Sequence, residues 1–233
     1  MKVLINGNKK YLWGSGDLHT SDGLIKESAL KKNKGKVKTH LGCEFIALEA
    51  GFVDKLKKIK RGPAIILPKD IGEILAHTGI DQNSKIVDAG AGCGVLAGFL
   101  GRISKNVTSY ERNKEFFEIA KKNFEFLGVK VKIKNKDVYD GISEKNLDLI
   151  TLDLLEPWKV VKHAGKSLKN GGFFVCYLTN INQVIRLIEN LDGFYLDKVI
   201  EVIEREWEVS GINVRPKNIG LLHTGFLLFA RKI

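Results

Sequence analysis

A chain of 233 residues has room for one domain of about 150–180 residues beside a small one. Charged residues make up 28%, mean hydropathy is -0.08, and no run nears the roughly 18 apolar residues of a membrane span; a soluble, cytoplasmic protein without membrane contact is expected. Net charge is +11, and residues 1–62 carry +8 of it, with 14 Lys and Arg against 6 Asp and Glu, so either a polyanionic partner, nucleic acid above all, or a lysine-rich solubilising surface accounts for the excess.

Short alternating runs open the chain, Lys2–Ile5, Lys36–His40 and Glu44–Leu48, separated by turn chemistry at Gly14-Ser15-Gly16-Asp17 and Lys34-Gly35-Lys36. They predict a small antiparallel β domain over residues 1–60. Its boundary falls at Arg61-Gly62-Pro63. From there strand and helix signals alternate. Pro68-Lys69-Asp70 starts a helix that Gly79 stops. Strands follow at Ile86-Val87, Val107–Tyr110, Val129–Ile133, Leu147–Leu152 and Phe173–Leu178. Between them lie helices whose apolar faces include Val95, Leu96, Phe99 and Ile103, then Phe116, Phe117, Ala120, Phe124 and Leu127. Pro157 opens another helix, and a further one spans about Asn182 to Leu191. Two long runs, Tyr195–Val209 and Leu221–Arg231, predict a closing antiparallel hairpin. Residues 61–233 therefore form an α/β, doubly wound sheet, Rossmann-like, of seven strands once the hairpin is added.

The first strand delivers Asp88 and then glycines at alternate positions, Gly90, Gly92 and Gly94. A dinucleotide site would need its third glycine where Val95 stands. The D-x-G-x-G-x-G spacing is instead the signature of class I S-adenosylmethionine (SAM) methyltransferases. It makes the turn Gly90, Ala91, Gly92, Gly94 and Val95 a candidate cofactor cradle. Four strand ends carry an acid: Asp88, Glu111, Asp137 and Asp153. Glu111, followed by Arg112, lies 23 residues after Asp88, the interval expected of a carboxylate on ribose hydroxyls. Asp137, with the Val138 backbone N–H, suits an adenine ring, or is a turn residue. Carboxylates also lower the cost of holding a cationic sulfonium. Cys43, Cys93 and Cys176 are far apart without a C-x-x-C, so no disulfide framework and no metal site are expected.

Several stretches resemble the tRNA (adenine-N1)-methyltransferases that modify the T-loop. They are Thr39–Phe45, Lys60-Arg61-Gly62-Pro63, Leu67-Pro68-Lys69-Asp70, Asp153–Trp158, Arg205-Glu206-Trp207, Val214-Arg215-Pro216 and His223-Thr224-Gly225-Phe226. Two positions depart from the family pattern: Leu155 stands where Pro is usual, and Leu67 where Tyr or His is common. The resemblance implies a tRNA partner, SAM as cofactor, Asp153 as the catalytic carboxylate and a homotetramer. Trp158 is then a candidate for stacking on the target base, or a core anchor. His223 either contacts substrate or is packed in the closing strand. Arg215 and Lys217, expected in the hairpin loop, are RNA-contact candidates, and Lys36 and Lys38 would grip phosphates. An isoaspartyl-protein or corrin-ring methyltransferase, or a non-catalytic tRNA-binding subunit, are the competing readings.

Overall fold

The computed structural model describes residues 1–32, 35–62, 65–218 and 223–233. Of the segments named above, Lys34, Pro63, Leu221 and Leu222 lie outside the described residues. The chain divides into two compact units, Met1–Ile59 and Lys60–Ile233.

The first unit runs β1 (Lys2–Asn6), β2 (Lys9–Trp13), β3 (Leu18–Thr20), β4 (Gly23–Ile25), α1 (Glu27–Lys32), β5 (Gly35–Lys38), β6 (Glu44–Glu49) and α2 (Phe52–Lys55). Four strands make an antiparallel sheet in the order β2-β1-β6-β5, and β3 and β4 pair separately. Alternation along β6 turns Phe45 and Ala47 inward, where they meet Leu4, Trp13, Ile25, Leu30 and Val37. Three of these strands were legible as alternating runs. β2, with the sequence Lys-Lys-Tyr-Leu-Trp, does not alternate cleanly, and only pairing with β1 makes it a strand.

The second unit runs α3 (Pro68–Thr78), β7 (Lys85–Ala89), α4 (Val95–Ile103), β8 (Asn106–Tyr110), α5 (Lys114–Leu127), β9 (Lys132–Lys134), β10 (Leu147–Asp153), α6 (Val161–Ser167), β11 (Leu168–Leu178), α7 (Ile181–Ile188), β12 (Phe194–Glu201), β13 (Trp207–Ser210), β14 (Asn213–Pro216) and β15 (Phe226–Lys232). Seven strands form one sheet in the order β12-β15-β11-β10-β7-β8-β9. Six are parallel, and β15 runs against its neighbours β11 and β12. Strands such as β7 and β10 are buried along most of their length, as a sheet covered on both faces requires. Pro68 at the first turn of α3 and Gly79 at φ 59° after its last end that helix as the sequence predicts.

Two expectations need correction. The third strand of the sheet covers Lys132–Lys134 rather than Val129–Ile133. The Val129 N–H still serves the end of α5, donating to the Phe124 carbonyl at 3.1 Å, so the ladder starts later. The run Tyr195–Val209 is not one strand. It breaks after Glu201, and β13 leaves the main sheet to pair with β14 as a separate two-stranded ribbon. Among the described residues, the sheet's hairpin is thus β12 with β15.

The break after β12 is held by a buried ion pair. Lys69 Nζ donates to Asp70 Oδ1 at 2.8 Å, to the Val202 carbonyl at 2.7 Å and to Thr224 Oγ1 at 2.7 Å. The two side chains are 8% and 0% exposed. One cation thereby ties the start of α3 to the segments flanking β12 and β15. Removing it leaves a carboxylate desolvated and uncompensated. Lys69→Met is expected to cost about 3 kcal/mol in urea denaturation, and Lys69→Met with Asp70→Leu to recover much of that loss.

Candidate active site

The sheet changes its direction of growth at β7, which has β8 on one side and β10 on the other. At such a point the crossovers leave to opposite faces and a crevice opens beyond the strands' carboxyl ends. The glycine turn sits there. Gly90, Gly92 and Gly94 have φ of 85°, 55° and 85°, the left-handed region that glycine enters without penalty. A Cβ on Gly90 would lie 2.1 Å from the carbonyl oxygen of Asp153, and one on Gly94 would lie 2.6 Å from the Phe124 ring. Glycine at 90 is therefore what lets the ends of β7 and β10 touch.

Glu111 fastens the turn from the other side. Its Oε2 accepts from the Gly92 N–H at 2.9 Å and its Oε1 from the Asn113 N–H at 2.8 Å. Between these parts lies a cavity of about 390 Å³. It is lined by the turn (Gly90, Ala91, Gly92 and Val95), by Glu111 with Arg112, by Asp137 with Val138, and by Asp88 and Asp153. Gly94 supports it from behind, against Phe124. The structure brings all of these sequence-predicted residues to one place.

The four acids are not equivalent. Asp88 lies inside β7 rather than at its end and is wholly buried, with Ser109 Oγ donating to it at 2.6 Å and Thr151 Oγ1 at 2.9 Å. Burial pushes its carboxyl up to about 6, against the pull of those two donors. Asp137 caps a short turn by accepting from the Tyr139 N–H at 3.0 Å, and its other oxygen is 3.4 Å from Arg112 Nη1. Asp153, at the end of β10, has no hydrogen-bond donor among the described residues. Burial, with the nearby charge of Asp88, pushes it up to about 7. A carboxyl that is desolvated and unpaired in a cavity wall is suited to accept a bond from a ligand.

Three predicted substrate residues lie elsewhere. Trp158 is partly buried and packed against the main core, with the Arg186 guanidinium 4.3 Å from its ring centroid, a placement that fits the core-anchor reading. Arg215 is in β14 rather than a loop, and Glu208 engages it at 3.0 Å; Lys217 likewise pairs with Glu206. His223 precedes β15 instead of lying in it and is exposed. Its ring is hydrogen-bonded to Glu201, which raises its pKa.

Sequence reasoning missed Tyr139 and Phe116 as cavity-lining aromatics, and Tyr177. Tyr177 is the ladder partner of Asp153, and its hydroxyl donates to the Thr224 carbonyl at 2.6 Å. In the sequence Phe116 belongs to an apolar helix face and Tyr177 to an apolar strand run. Only the register of β10 against β11 distinguishes Tyr177 from its neighbours.

Residues 59–224 match the protein family described as the tRNA methyltransferase complex GCD14 subunit. The chain is 36% identical to a tRNA (adenine(57)-N(1)/adenine(58)-N(1))-methyltransferase of Methanocaldococcus jannaschii, over 84% of this chain and 81% of that one. It is 31% identical to the tRNA (adenine(58)-N(1))-methyltransferase of Thermus thermophilus, over 93% and 89%. The crystal structure of the tRNA (m1A58) methyltransferase of Aquifex aeolicus has TM-score 0.87 at 26% identity, covering 100% of this chain and 96% of that one. A SAM-dependent O-methyltransferase of Thermotoga maritima has TM-score 0.89 at 27% identity, covering 100% and 92%.

The raised acid in the cavity wall has a consequence for stability. Asp153 in the folded chain holds its proton to about 7, against 3.8 for an ordinary aspartate. Its contribution is present in full below pH 4 and is lost as pH rises through 7. Asp153→Asn is therefore expected to stabilise the chain at pH 8 by an amount on the order of 2 kcal/mol, and to change it little at pH 4. Urea denaturation at the two pH values measures the difference.

Proposed function

The chain belongs to the GCD14 family of tRNA methyltransferases, and on that premise we propose that it transfers a methyl group from SAM to N1 of adenine in the T-loop of tRNA. The positions are adenine 58 and, as the name of the M. jannaschii relative has it, the neighbouring 57. The observation that carries this reading is the contact at Gly90, which sets the glycine turn and Asp153 in the walls of one cavity.

The residues fit SAM. SAM, when bound, supplies a methyl group already activated on a sulfonium. Gly90, Ala91, Gly92 and Val95 offer backbone that no side chain shields, and Gly94 lets α4 begin immediately behind them. Glu111, beside Arg112, faces the cavity as the ribose acid, and Asp137 and Val138 as the adenine contacts. Asp88 holds the floor from beneath. Four carboxyl groups around one cavity lower the cost of bringing cationic groups into it. A cation there also draws Asp153 back toward its ionised form.

Asp153 then does the chemical work of the chain. Adenine N1 carries a free lone pair, so no base acts before attack. The carboxylate accepts a hydrogen bond from the adenine 6-amino group, enriches N1 and stabilises the positive charge that develops on the ring. Extruding the base costs a few kcal/mol, drawn from contacts with the rest of the RNA. We assign such contacts to the basic first unit, including Lys36 and Lys38, and to the exposed Arg215 and His223. The cytoplasm, where tRNA is processed, is the proposed location; among the described residues no helix is long and apolar enough to cross a membrane.

A homotetramer is proposed as the working form. The β13–β14 ribbon supports it, because Trp207, Val209 and Val214 share one face and are 55%, 65% and 57% exposed, with Ile212 at the tip 99% exposed. A two-stranded ribbon is marginal alone, and an apolar face of this kind calls for cover. Val209→Lys with Val214→Glu is expected to lower the mass read by light scattering, while SAM calorimetry is unchanged.

Unmodified tRNA incubated with SAM and the protein is expected to yield 1-methyladenosine by nucleoside mass spectrometry. At SAM well below saturation the rate should rise with pH through about 7, as Asp153 of the free enzyme ionises. Asp153→Asn is expected to lower it by about 10²–10³-fold while calorimetry still records SAM binding. Turnover that survives the substitution would move the catalytic role to another group.

A further inference from the structure

The sheet has a second concavity at its opposite end. It has a volume of about 570 Å³ and lies across the first residues of β7, β8 and β9 and the segment leading into β10. Lys85, Lys105, Lys130, Lys132 and Lys145 line it, with Ile86, Val107 and Leu147 buried in its floor. A strand of five residues puts it about 17 Å along the sheet from the cavity at the carboxyl ends.

The lysines here differ from those of the first unit. Lys9, Lys10, Lys26, Lys31 and Lys36 each have a carboxylate within 3.1 Å or less. Among the described residues, Lys85, Lys105, Lys130 and Lys132 have none. Lys145 reaches only the Lys166 carbonyl at 3.3 Å and Ser167 Oγ at 3.4 Å. The single acid in the lining, Glu144, is taken by Lys134 and by the Tyr110 hydroxyl. Like charges drawn into one concavity repel, and its low-dielectric walls focus their field. Solubility favours cations that are spread out, so it does not account for this cluster.

We propose that this groove is a second RNA-contact surface, gripping the phosphate backbone of the tRNA substrate at the end of the sheet away from the cavity. The inference rests on the tRNA reading above. Five ammonium groups on a groove floored by aliphatic side chains match a chain of phosphates, each lysine acting as a point charge without base readout. Its contribution is affinity and salt dependence.

The test is fluorescence anisotropy of unmodified tRNA over a range of salt. It compares the wild type, Lys105→Glu/Lys130→Glu/Lys132→Glu, and a charge-matched control on exposed helix positions, Lys121→Glu/Lys122→Glu/Lys162→Glu. Circular dichroism and SAM calorimetry verify the fold of each. The groove variant is expected to bind about ten-fold or more weakly at moderate salt, with its log–log salt slope reduced by about two to three units. The control should keep the wild-type slope. Equal losses in the two variants would reduce the effect to net charge and overturn the proposal. An altered oligomeric mass with unchanged tRNA binding would assign the groove to a subunit contact and overturn it too. A wild type that binds tRNA through the groove but forms no 1-methyladenosine would sink the proposed reaction and leave the groove standing.

Discussion

The contact between the Gly90 backbone and the Asp153 carbonyl is the constraint from which the site follows. At the reversal of strand order, β7 and β10 are adjacent and parallel, so whatever leaves their ends must diverge around a shared space. A side chain at position 90 would collide with β10 at 2.1 Å. Glycine allows the turn to lie against the neighbouring strand end, where the Asp153 carboxyl is largely buried. Desolvation of that carboxyl, with the nearby charge of Asp88, is what raises Asp153 to about 7.

The acids around the cavity divide by what already occupies their oxygens. Glu111 accepts two backbone N–H groups, and Asp88 accepts two hydroxyls. These two carboxylates shape the site by satisfying the donors of a tight turn and of the neighbouring strands. Asp153 has no such donor and is left with the full cost of burial. A group held in that state stabilises the chain least at the pH where it is ionised, which is the form the proposed chemistry uses. Stability surrendered at a reactive position is the usual relation between a folded scaffold and its working site.

Much of this was legible from residue order alone. Alternate glycines after a β-branched run, and an acid at successive strand ends, located the cavity because both are local consequences of a strand-turn-helix crossover. What was not legible depends on pairing. Nothing in the run Tyr195–Val209 marks Glu201 as its end, because the break is made by Lys69, more than a hundred residues earlier, capturing the Val202 carbonyl. Trp158 sits beside an acid-rich motif but is turned into the core under Arg186. Tyr177 acquires its place beside Asp153 through the register of β10 on β11. The charge of the first unit is also less available than a count of lysines implies, since several are engaged by carboxylates of the same unit.

The second unit groups acids at one end of its sheet and lysines at the other. Four carboxyl groups, with Arg112 and Lys136 beside them, gather where the strands end, and five lysines gather where they begin. For a polyanionic substrate that separation has a physical logic. An acid-lined cavity suits a cationic cofactor and a base that becomes positive as it reacts, yet it repels the phosphates flanking that base. A cation placed among those acids pairs with them, as Arg112 does with Asp137, and so weakens both effects. With these five lysines at the far end, beyond a Debye length of about 8 Å at physiological salt, their attraction for the RNA and the stabilisation of the developing charge act without quenching each other. A fold whose crossovers put every strand end on one side and every strand start on the other supplies that separation without further machinery.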